Sequence, residues 1–213
     1  SPINRFGEPT RDRKSMADQG LLWVDAVGGY LLHLESSITI GQAIPGSNVD
    51  LQILGDLSRH HATITRDSGE YLLDPLGPVQ IFNQTISEPK MLNDGDEILL
   101  GTSVSNIEVR FRKPNVLSST ARLEFLSHHR TQPSADGVIL FAETCVLGAS
   151  DDSHVVCRDW EGQVILMPTE DGRFRFKAND SVTVDDVDGA DSGIVDWGSR
   201  MASDDFAFML ERL

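Results

Sequence analysis

Hydrophobic residues in this chain occur as short runs separated by turn-forming residues, from residue 21 to the end of the sequence. The stretch at 108–112 shows the pattern clearly, because Val109 and Phe111 point to one side and the charged residues around them point to the other. This period of two is typical of a half-buried strand. Many short strands at close spacing predict an all-β protein made of β-sandwiches.

The same pattern predicts how the chain is divided. Residues 1–19 have no periodic apolar positions, which indicates a tail or linker. Residues 20–113 predict a first β-sandwich, residues 114–120 a polar connector, and residues 121–213 a second β-sandwich. The first residue is Ser rather than Met, so we also expect the sequence to be a fragment of a longer chain.

The second sandwich repeats the order of short motifs found in the first. Gly28–Leu32 followed by Ile38–Gly41 is echoed by Asp136–Leu140 followed by Cys145–Gly148. Later strands correspond in the same order. Any two β-sheet domains share some of this order, but the repeated spacing favours a duplication that gives tandem sandwiches.

Each sandwich needs a hydrophobic core, and the large apolar side chains of the predicted strands are the candidates for it. For the first sandwich we expect a core of Trp23, Leu31, Ile40, Ile64, Leu72, Phe82, Ile98 and Phe111. For the second we expect a core of Ile139, Val146, Ile165, Phe174, Val184 and Phe208.

Charge and hydropathy restrict the possible partners. The chain carries a formal net charge of −15 and has no run of Lys and Arg. We therefore expect no nucleic-acid partner, because duplex binding depends on basic side chains that displace counterions. We expect no membrane partner either, because no apolar run approaches the roughly 20 residues that a membrane-spanning helix needs.

The two cysteines, Cys145 and Cys157, are each flanked by apolar residues. A disulfide framework needs more cysteines in a shorter chain. We therefore expect two buried free thiols in a reducing compartment, the cytoplasm. A single bridge between the two thiols is the alternative.

The most informative motif is a polar loop that leads into an alternating strand at Leu57–Ile64 (Leu-Ser-Arg-His-His-Ala-Thr-Ile). A strand ending in Gly41-Gln42 precedes it, and the turn at Leu92–Ile98 follows it. In this order the motifs resemble those of the forkhead-associated (FHA) domain, a module whose loops bind phosphothreonine. The resemblance covers about residues 20–113. It implies non-enzymatic protein recognition, with a phosphothreonine-containing protein or peptide as the partner.

The resemblance also implies a role for each loop residue. Ser58 and His61 match a Ser-x-x-His motif in which the Ser contacts phosphate and the His holds the loops together. Arg59 occupies a position that often faces the peptide, and a guanidinium forms charge-assisted bonds with phosphate. The expected phosphopeptide-binding residues are Ser58, Arg59 and Gln42, and the expected loop-supporting residues are Gly41, His61 and Asn83.

Several positions depart from the family pattern. Gln42 stands where the family has an Arg that binds phosphate, and a neutral amide forms a weaker bond than a charged group. The loop at 74–79 lacks the expected Asn-Gly, and Pro78 in it has no N–H to donate. In the second sandwich, Asp159 and Glu161 place carboxylates in the equivalent loop, which predicts a structural copy. These departures support an alternative function, phosphate-independent protein binding or an assembly scaffold.

Signals for catalysis or metal binding are weak. The His-His pairs at 60–61 and 128–129 consist of adjacent residues, and adjacent residues on a strand point to opposite faces, so neither pair forms one metal site. The acidic turn at 94–96 lacks the further acidic residues of a calcium-binding loop. We therefore expect no catalytic residue, no metal and no cofactor.

Overall fold

The computed structural model describes residues 18–102 and 104–213, so most of the predicted tail at 1–19 lies outside the described residues. The strands of the first half are β1 (Gln19–Val24), β2 (Gly28–His33), β3 (Ser37–Gln42), β4 (Leu51–Leu54), β5 (Ala62–Asp67), β6 (Glu70–Pro75), β7 (Val79–Ile81), β8 (Gln84–Ile86), β9 (Lys90–Leu92), β10 (Glu97–Leu100) and β11 (Ile107–Arg112). Those of the second half are β12 (Ala121–Phe125), β13 (Arg130–Gln132), β14 (Gly137–Leu140), β15 (Cys145–Gly148), β16 (Val155–Val156), β17 (Gln163–Pro168), β18 (Phe174–Ala178), β19 (Thr183–Val184), β20 (Ser192–Val195), β21 (Arg200–Ala202) and β22 (Ala207–Arg212). The all-β prediction is confirmed. Within the described part of the chain, no helix has the length and apolar character needed to span a membrane.

The strands form three sheets. An eleven-stranded sheet, here called the shared sheet, has the order β19-β21-β22-β1-β2-β14-β12-β11-β10-β7-β8. The first outer sheet has the order β13-β4-β3-β5-β6-β9, and the second outer sheet has the order β16-β15-β17-β18-β20. Each outer sheet encloses a hydrophobic core with part of the shared sheet, so the molecule contains two sandwiches with one sheet in common.

The two outer sheets match strand by strand. In the first, β3 pairs in parallel with β4 and antiparallel with β5, and in the second β15 pairs in the same two ways with β16 and β17. The series β5-β6-β9 likewise corresponds to β17-β18-β20. The registers agree as well, since the pair Ile40–Ala62 corresponds to Leu147–Val164. The prediction of tandem sandwiches is confirmed.

The last strand of each half pairs with the first strand of the other half. Strand β11 pairs with β12, and β22 pairs with β1. Between these contacts, β2 and β14 lie side by side in parallel at the centre of the shared sheet. The proposed division at residues 20–113 and 121–213 stays a prediction, because strands from both segments contribute to each core.

The central strands of the shared sheet are buried on both faces. Leu31 of β2 and Val138 of β14 belong to the first core, while the next residues, Leu32 and Ile139, belong to the second. Alternate side chains of one strand point to opposite faces, so each central strand supplies both cores. The two sandwiches therefore cannot separate without exposing apolar surface from both cores.

Most of the predicted core residues are buried, but three of the first sandwich are not: Trp23 is 37% exposed, Leu72 43% and Phe82 58%. Leu72 points outward because its neighbours Tyr71 and Leu73 both point inward. Trp23 lies on the surface and donates from Nε1 to a carboxylate oxygen of Glu211 at 2.8 Å. Phe82 belongs to a turn rather than to a strand. In the second sandwich, the expected core residues Ile165 and Val184 are only half-buried.

Both cysteines are buried and unpaired, as the sequence predicts. Burial is the main cause that raises the pKa of each thiol, and it raises the pKa of Cys157 to about 12. At neutral pH both groups are therefore protonated and act as small apolar side chains of the second core.

Candidate functional site

Three loops meet at one end of the first sandwich: the loop between β3 and β4, the loop between β4 and β5, and the loop between β6 and β7. The backbone N–H of Gln42 donates to the carbonyl of Ser58 at 3.0 Å. The N–H groups of Leu76 and Gly77 both donate to the carbonyl of His61 at 2.9 Å. The loop that carries Ser58 is thus held between the end of β3 and the loop between β6 and β7 by backbone hydrogen bonds.

His61 is buried at the junction of these loops. Its Nδ1 accepts a hydrogen bond from the N–H of Ser58 at 3.1 Å, so its Nε2 carries the proton and donates to the carbonyl of Pro78 at 2.7 Å. The N–H of Gly101 donates to the same carbonyl at 2.9 Å. The imidazole therefore connects two loops to the end of β10, and both of its nitrogens are satisfied.

Two glycines allow the loops to approach so closely. A Cβ atom built on Gly41 would lie 1.9 Å from the carbonyl oxygen of Arg59. One built on Gly77 would lie 2.7 Å from the ring of His61 and 3.0 Å from Oγ of Ser58. Any side chain at either position would displace the loop that presents Ser58 and Arg59.

Ser58 and Arg59 are both exposed. Within the described residues, neither the Ser58 hydroxyl nor the Arg59 guanidinium has a hydrogen bond or an ion pair. Arg59 and His60 line one side of a groove of about 240 Å³, and residues 44–48 form its other side. Ser58 lies outside this groove, beside Gly77.

The groove adds Ser47, Asn48 and His60 to the candidate site, and the sequence motifs did not indicate these residues. All three side chains carry hydrogen-bonding groups. The N–H of Ser47 donates to the carbonyl of Ile44 at 3.0 Å, which closes a tight turn. The polar composition of Pro45–Asn48 was a signal for this turn, but the sequence did not reveal that the turn faces Arg59.

Gln42 and Asn83 are placed differently from the other predicted site residues. The side-chain Nε2 of Gln42 donates to the carbonyl of Gly55 at 3.1 Å, so one of its two donors is already used. Asn83 has a φ of 62° and forms the β7–β8 turn together with Phe82. That turn is at the opposite end of β7 from Pro78. The structure thus does not bring Asn83 to the loops that it was expected to support.

The equivalent loops of the second sandwich have a different chemistry. Arg158 forms an ion pair with Asp151, and Trp160 stacks on Phe206 with the ring centroids 4.4 Å apart. Asp159 is exposed next to Trp160. In the described part of the chain, no group of three or more His, Cys, Asp or Glu side chains has the geometry of a metal site.

Replacing Gly41 tests how strongly the loop packing depends on a missing side chain. We expect Gly41→Ala to destabilise the protein by about 1–3 kcal/mol, because the added methyl group collides with the backbone of Arg59. Urea unfolding measures this loss.

Gly148→Ala is the matched control at the equivalent position of β15. Its Cβ would meet Cβ of Gln163 at 3.1 Å and Oγ of Ser153 at 3.3 Å, which are much longer distances than the 1.9 Å at Gly41. Equal losses for the two variants would contradict this account of Gly41.

Comparison with known proteins finds a family match within the first sandwich. Residues 38–101 match the sequence profile of the FHA domain, and this stretch contains every site residue expected from the sequence. No curated protein matches the chain. Similar solved structures include the FHA-2 domain of the Mycobacterium tuberculosis ABC transporter Rv1747, with 21% identity over 44% of this chain and 76% of that one and a TM-score of 0.33. They also include the FHA domain of CT664 from Chlamydia trachomatis, with 26% identity over 39% and 90% of the two chains and a TM-score of 0.31.

A third solved structure is the FhaA FHA domain complexed with the intracellular domain of Rv3910, with 28% identity over 38% of this chain and 91% of that one and a TM-score of 0.30. Because all of these TM-scores are below 0.5, the family match rests on the sequence alone. Residues 38–101 of this chain match the FHA domain family, and FHA domains are non-enzymatic phosphothreonine-peptide recognition modules.

Proposed function

We propose that this protein is a non-enzymatic recognition module that binds phosphothreonine-containing peptides through the loops of its first sandwich. The proposal rests on one observation, the exposure of the unpaired side chains of Ser58 and Arg59. Both are exposed on the packed loops, and their side chains have no partner among the described residues. A hydroxyl and a guanidinium in this position are free to donate to phosphate oxygens.

The chemistry of these groups suits phosphate. A guanidinium forms charge-assisted hydrogen bonds, which are about twice as strong as neutral ones. The groove beside Arg59 adds the polar side chains of Ser47, Asn48 and His60 for contacts along the peptide. Gln42 has a smaller part, because its amide already donates to Gly55.

The packing of the loops also favours recognition. His61, Gly41 and Gly77 fix the backbone on both sides of Ser58. A preformed site loses less conformational entropy on binding than a flexible loop does, and this raises the affinity for a given set of contacts. The proposal gives these three residues a supporting role and assigns no catalytic residue and no cofactor.

A second candidate function is phosphate-independent protein binding, as a scaffold with a degenerate FHA domain. Gln42 and Pro78 favour it. Gln42 brings no charge to the position of the phosphate-binding Arg, and Pro78 brings no N–H to the loop between β6 and β7. The carbonyl of Pro78 is also used, because it accepts hydrogen bonds from His61 and Gly101.

Titration of a phosphothreonine peptide library against its unphosphorylated twin separates the two candidates. We expect the phosphorylated peptides to bind more tightly. We expect Arg59→Ala to weaken that binding roughly tenfold to a hundredfold, because a charge-assisted hydrogen bond contributes about 1.5–3 kcal/mol. Ser58→Ala removes a neutral donor, so its effect is expected to be smaller.

Arg175→Ala is the control for a general change of charge, because Arg175 is exposed on the second outer sheet. It should leave the affinity unchanged. Equal binding of both peptide sets, together with no loss in the Ser58 and Arg59 variants, would reject the phosphothreonine proposal and favour the scaffold.

A further inference from the structure

The groove beside Arg59 differs in charge from other grooves of this protein. It has a volume of about 240 Å³ and is lined by residues 44–48 together with Arg59 and His60, none of which is acidic. Three larger grooves in the described part of the chain, of about 700, 400 and 270 Å³, each include three or more Asp or Glu residues. In a chain with 33 acidic and 18 basic residues, a groove with a basic and no acidic lining is a local exception.

The positive charge of Arg59 is not compensated inside this groove. Its guanidinium is exposed and forms no hydrogen bond or ion pair with any residue that the structure describes. The acidic residues nearest to the groove in sequence are Asp50 and Asp56. The Oδ2 atom of Asp50 accepts hydrogen bonds from the backbone N–H and the hydroxyl of Thr39, at 2.8 and 2.9 Å. Asp56 lies beside Gly101 and does not line the groove.

Neutral hydrogen-bonding groups lie opposite Arg59. The N–H of Ser47 donates to the carbonyl of Ile44 at 3.0 Å, and the turn that this bond closes forms the second wall of the groove. Asn48 is exposed in this wall, and its carboxamide has no hydrogen bond with another described residue. The guanidinium, the Asn48 amide and the Ser47 hydroxyl all donate hydrogen bonds, and a carboxylate accepts them from several donors at once.

The groove lies next to the loop position proposed to contact phosphate. Ser58 is outside the groove, beside Gly77, whereas the next residue, Arg59, lines it. The Cα atoms of consecutive residues are about 3.8 Å apart. An extended peptide advances about 3.3 Å per residue, so three residues cover about 10 Å. A peptide with its phosphate at Ser58 therefore brings one of its neighbouring residues to the groove.

We propose that this groove selects phosphothreonine peptides that carry Asp or Glu within three positions of the phosphothreonine. The inference rests on the phosphothreonine function proposed above and names the class of peptide that it prefers. The carboxylate pairs with the guanidinium of Arg59 and accepts hydrogen bonds from the wall that contains Asn48. The net charge of −15 gives the rest of the protein no general attraction for acidic peptides, so the preference comes from the groove.

The test compares fluorescein-labelled phosphothreonine peptides by fluorescence anisotropy, at an ionic strength of about 0.15 M. One peptide has Glu at the three positions before the phosphothreonine, another has Glu at the three positions after it, and each has a twin with Gln instead. We expect one Glu peptide to bind about threefold to fivefold more tightly than its Gln twin, which is the range that an exposed ion pair allows. The peptide that shows this preference identifies the side of the phosphothreonine that enters the groove.

Two variants test whether the groove causes the preference. Asn48→Asp adds a carboxylate to the lining with almost no change in side-chain size, and we expect the ratio of Glu to Gln affinity to fall to about one. Asn83→Asp is the matched control, because it adds the same charge in the β7–β8 turn. Arg59→Gln should also abolish the ratio, whereas Arg175→Gln, on the second outer sheet, should leave it unchanged. Circular dichroism checks that each variant is folded.

The inference would be overturned if Glu peptides and their Gln twins bound equally well to the unmodified protein. It would also be overturned if the preference persisted in both Asn48→Asp and Arg59→Gln. In either case, tighter binding of the phosphorylated Gln peptides than of their unphosphorylated forms would leave the proposed phosphothreonine function standing. Equal binding of phosphorylated and unphosphorylated peptides would reject both the function and the preference.

Discussion

Phe111→Ala is expected to destabilise the whole protein by about 3–5 kcal/mol, and not the first sandwich alone. Phe111 is fully buried in the first core, where its ring packs edge-on against Tyr71 with the centroids 5.1 Å apart. Truncation leaves a cavity and removes this ring contact. The residue also faces Leu123 across the β11–β12 pair, so the strand that joins the two halves loses support.

Two optical signals test whether the effect reaches both cores. Trp160 and Trp197 pack in or against the second core, so in a Trp23→Phe background the tryptophan fluorescence reports on a region that does not contain Phe111. Far-ultraviolet circular dichroism reports on all three sheets. We expect both signals to show one transition in urea, shifted by the same amount in Phe111→Ala.

Leu72→Ala is the matched control, since Leu72 is a predicted core residue that the structure places on the surface. Its cost should stay below about 1 kcal/mol. The shared sheet would not couple the two cores if Phe111→Ala shifted circular dichroism but left the tryptophan transition in place.

The sequence predicted the all-β class and the tandem order because both follow from local alternation and turn residues. It could not predict that the last strand of each half pairs with the first strand of the other half. Phe111 needs an apolar neighbour on the same face, and β12 supplies Leu123 in that position, but any strand with the same alternation would satisfy this need. The face of a continuous apolar run is similarly ambiguous, so the inward pair Tyr71 and Leu73 could not be separated from Leu72.

The sequence predicted those site residues that bring the loop backbones together. Gly41 and His61 lie in motifs whose spacing brings the loops together, and the structure places both at the junction. Asn83 was assigned as part of an Asn-containing turn, and the structure places that turn at the other end of β7.

A loss of stability between about pH 6.5 and pH 4 is expected from the burial of one histidine. His154 is fully buried beside β15, and its Nδ1 accepts a hydrogen bond from the N–H of Val146 at 2.9 Å. Its Nε2 has no hydrogen-bond partner among the described residues. Burial, and after it the nearby charge of Arg122, lowers the pKa of His154 from 6.5 to about 4.

The sign of the effect follows from the protons bound in each state. Between pH 6.5 and pH 4 the unfolded chain binds a proton at His154 and the folded protein does not, so stability falls as the pH is lowered through this window. Above pH 6.5 the imidazole is neutral in both the folded and the unfolded state, so it adds no pH dependence to the stability. The shift corresponds to about 3 kcal/mol, which is lost in full only near the pKa of the folded state.

Replacing His154 by Asn should remove this part of the pH dependence. The equivalent position in the first sandwich is Asp50, whose side-chain oxygen accepts a hydrogen bond from the N–H of Thr39 at 2.8 Å. An Asn side chain also offers an acceptor oxygen and does not titrate.

Urea unfolding at pH 7 and pH 4.5 should therefore give a smaller loss of stability for His154→Asn than for the unmodified protein. The control His128→Asn, at an exposed position, should lose as much stability as the unmodified protein. Carboxylates contribute equally to all three proteins, so only His154 accounts for a difference between them. An equal loss in all three would mean that His154 is protonated in the folded protein, and the hydrogen bond to Nδ1 would then have to be abandoned.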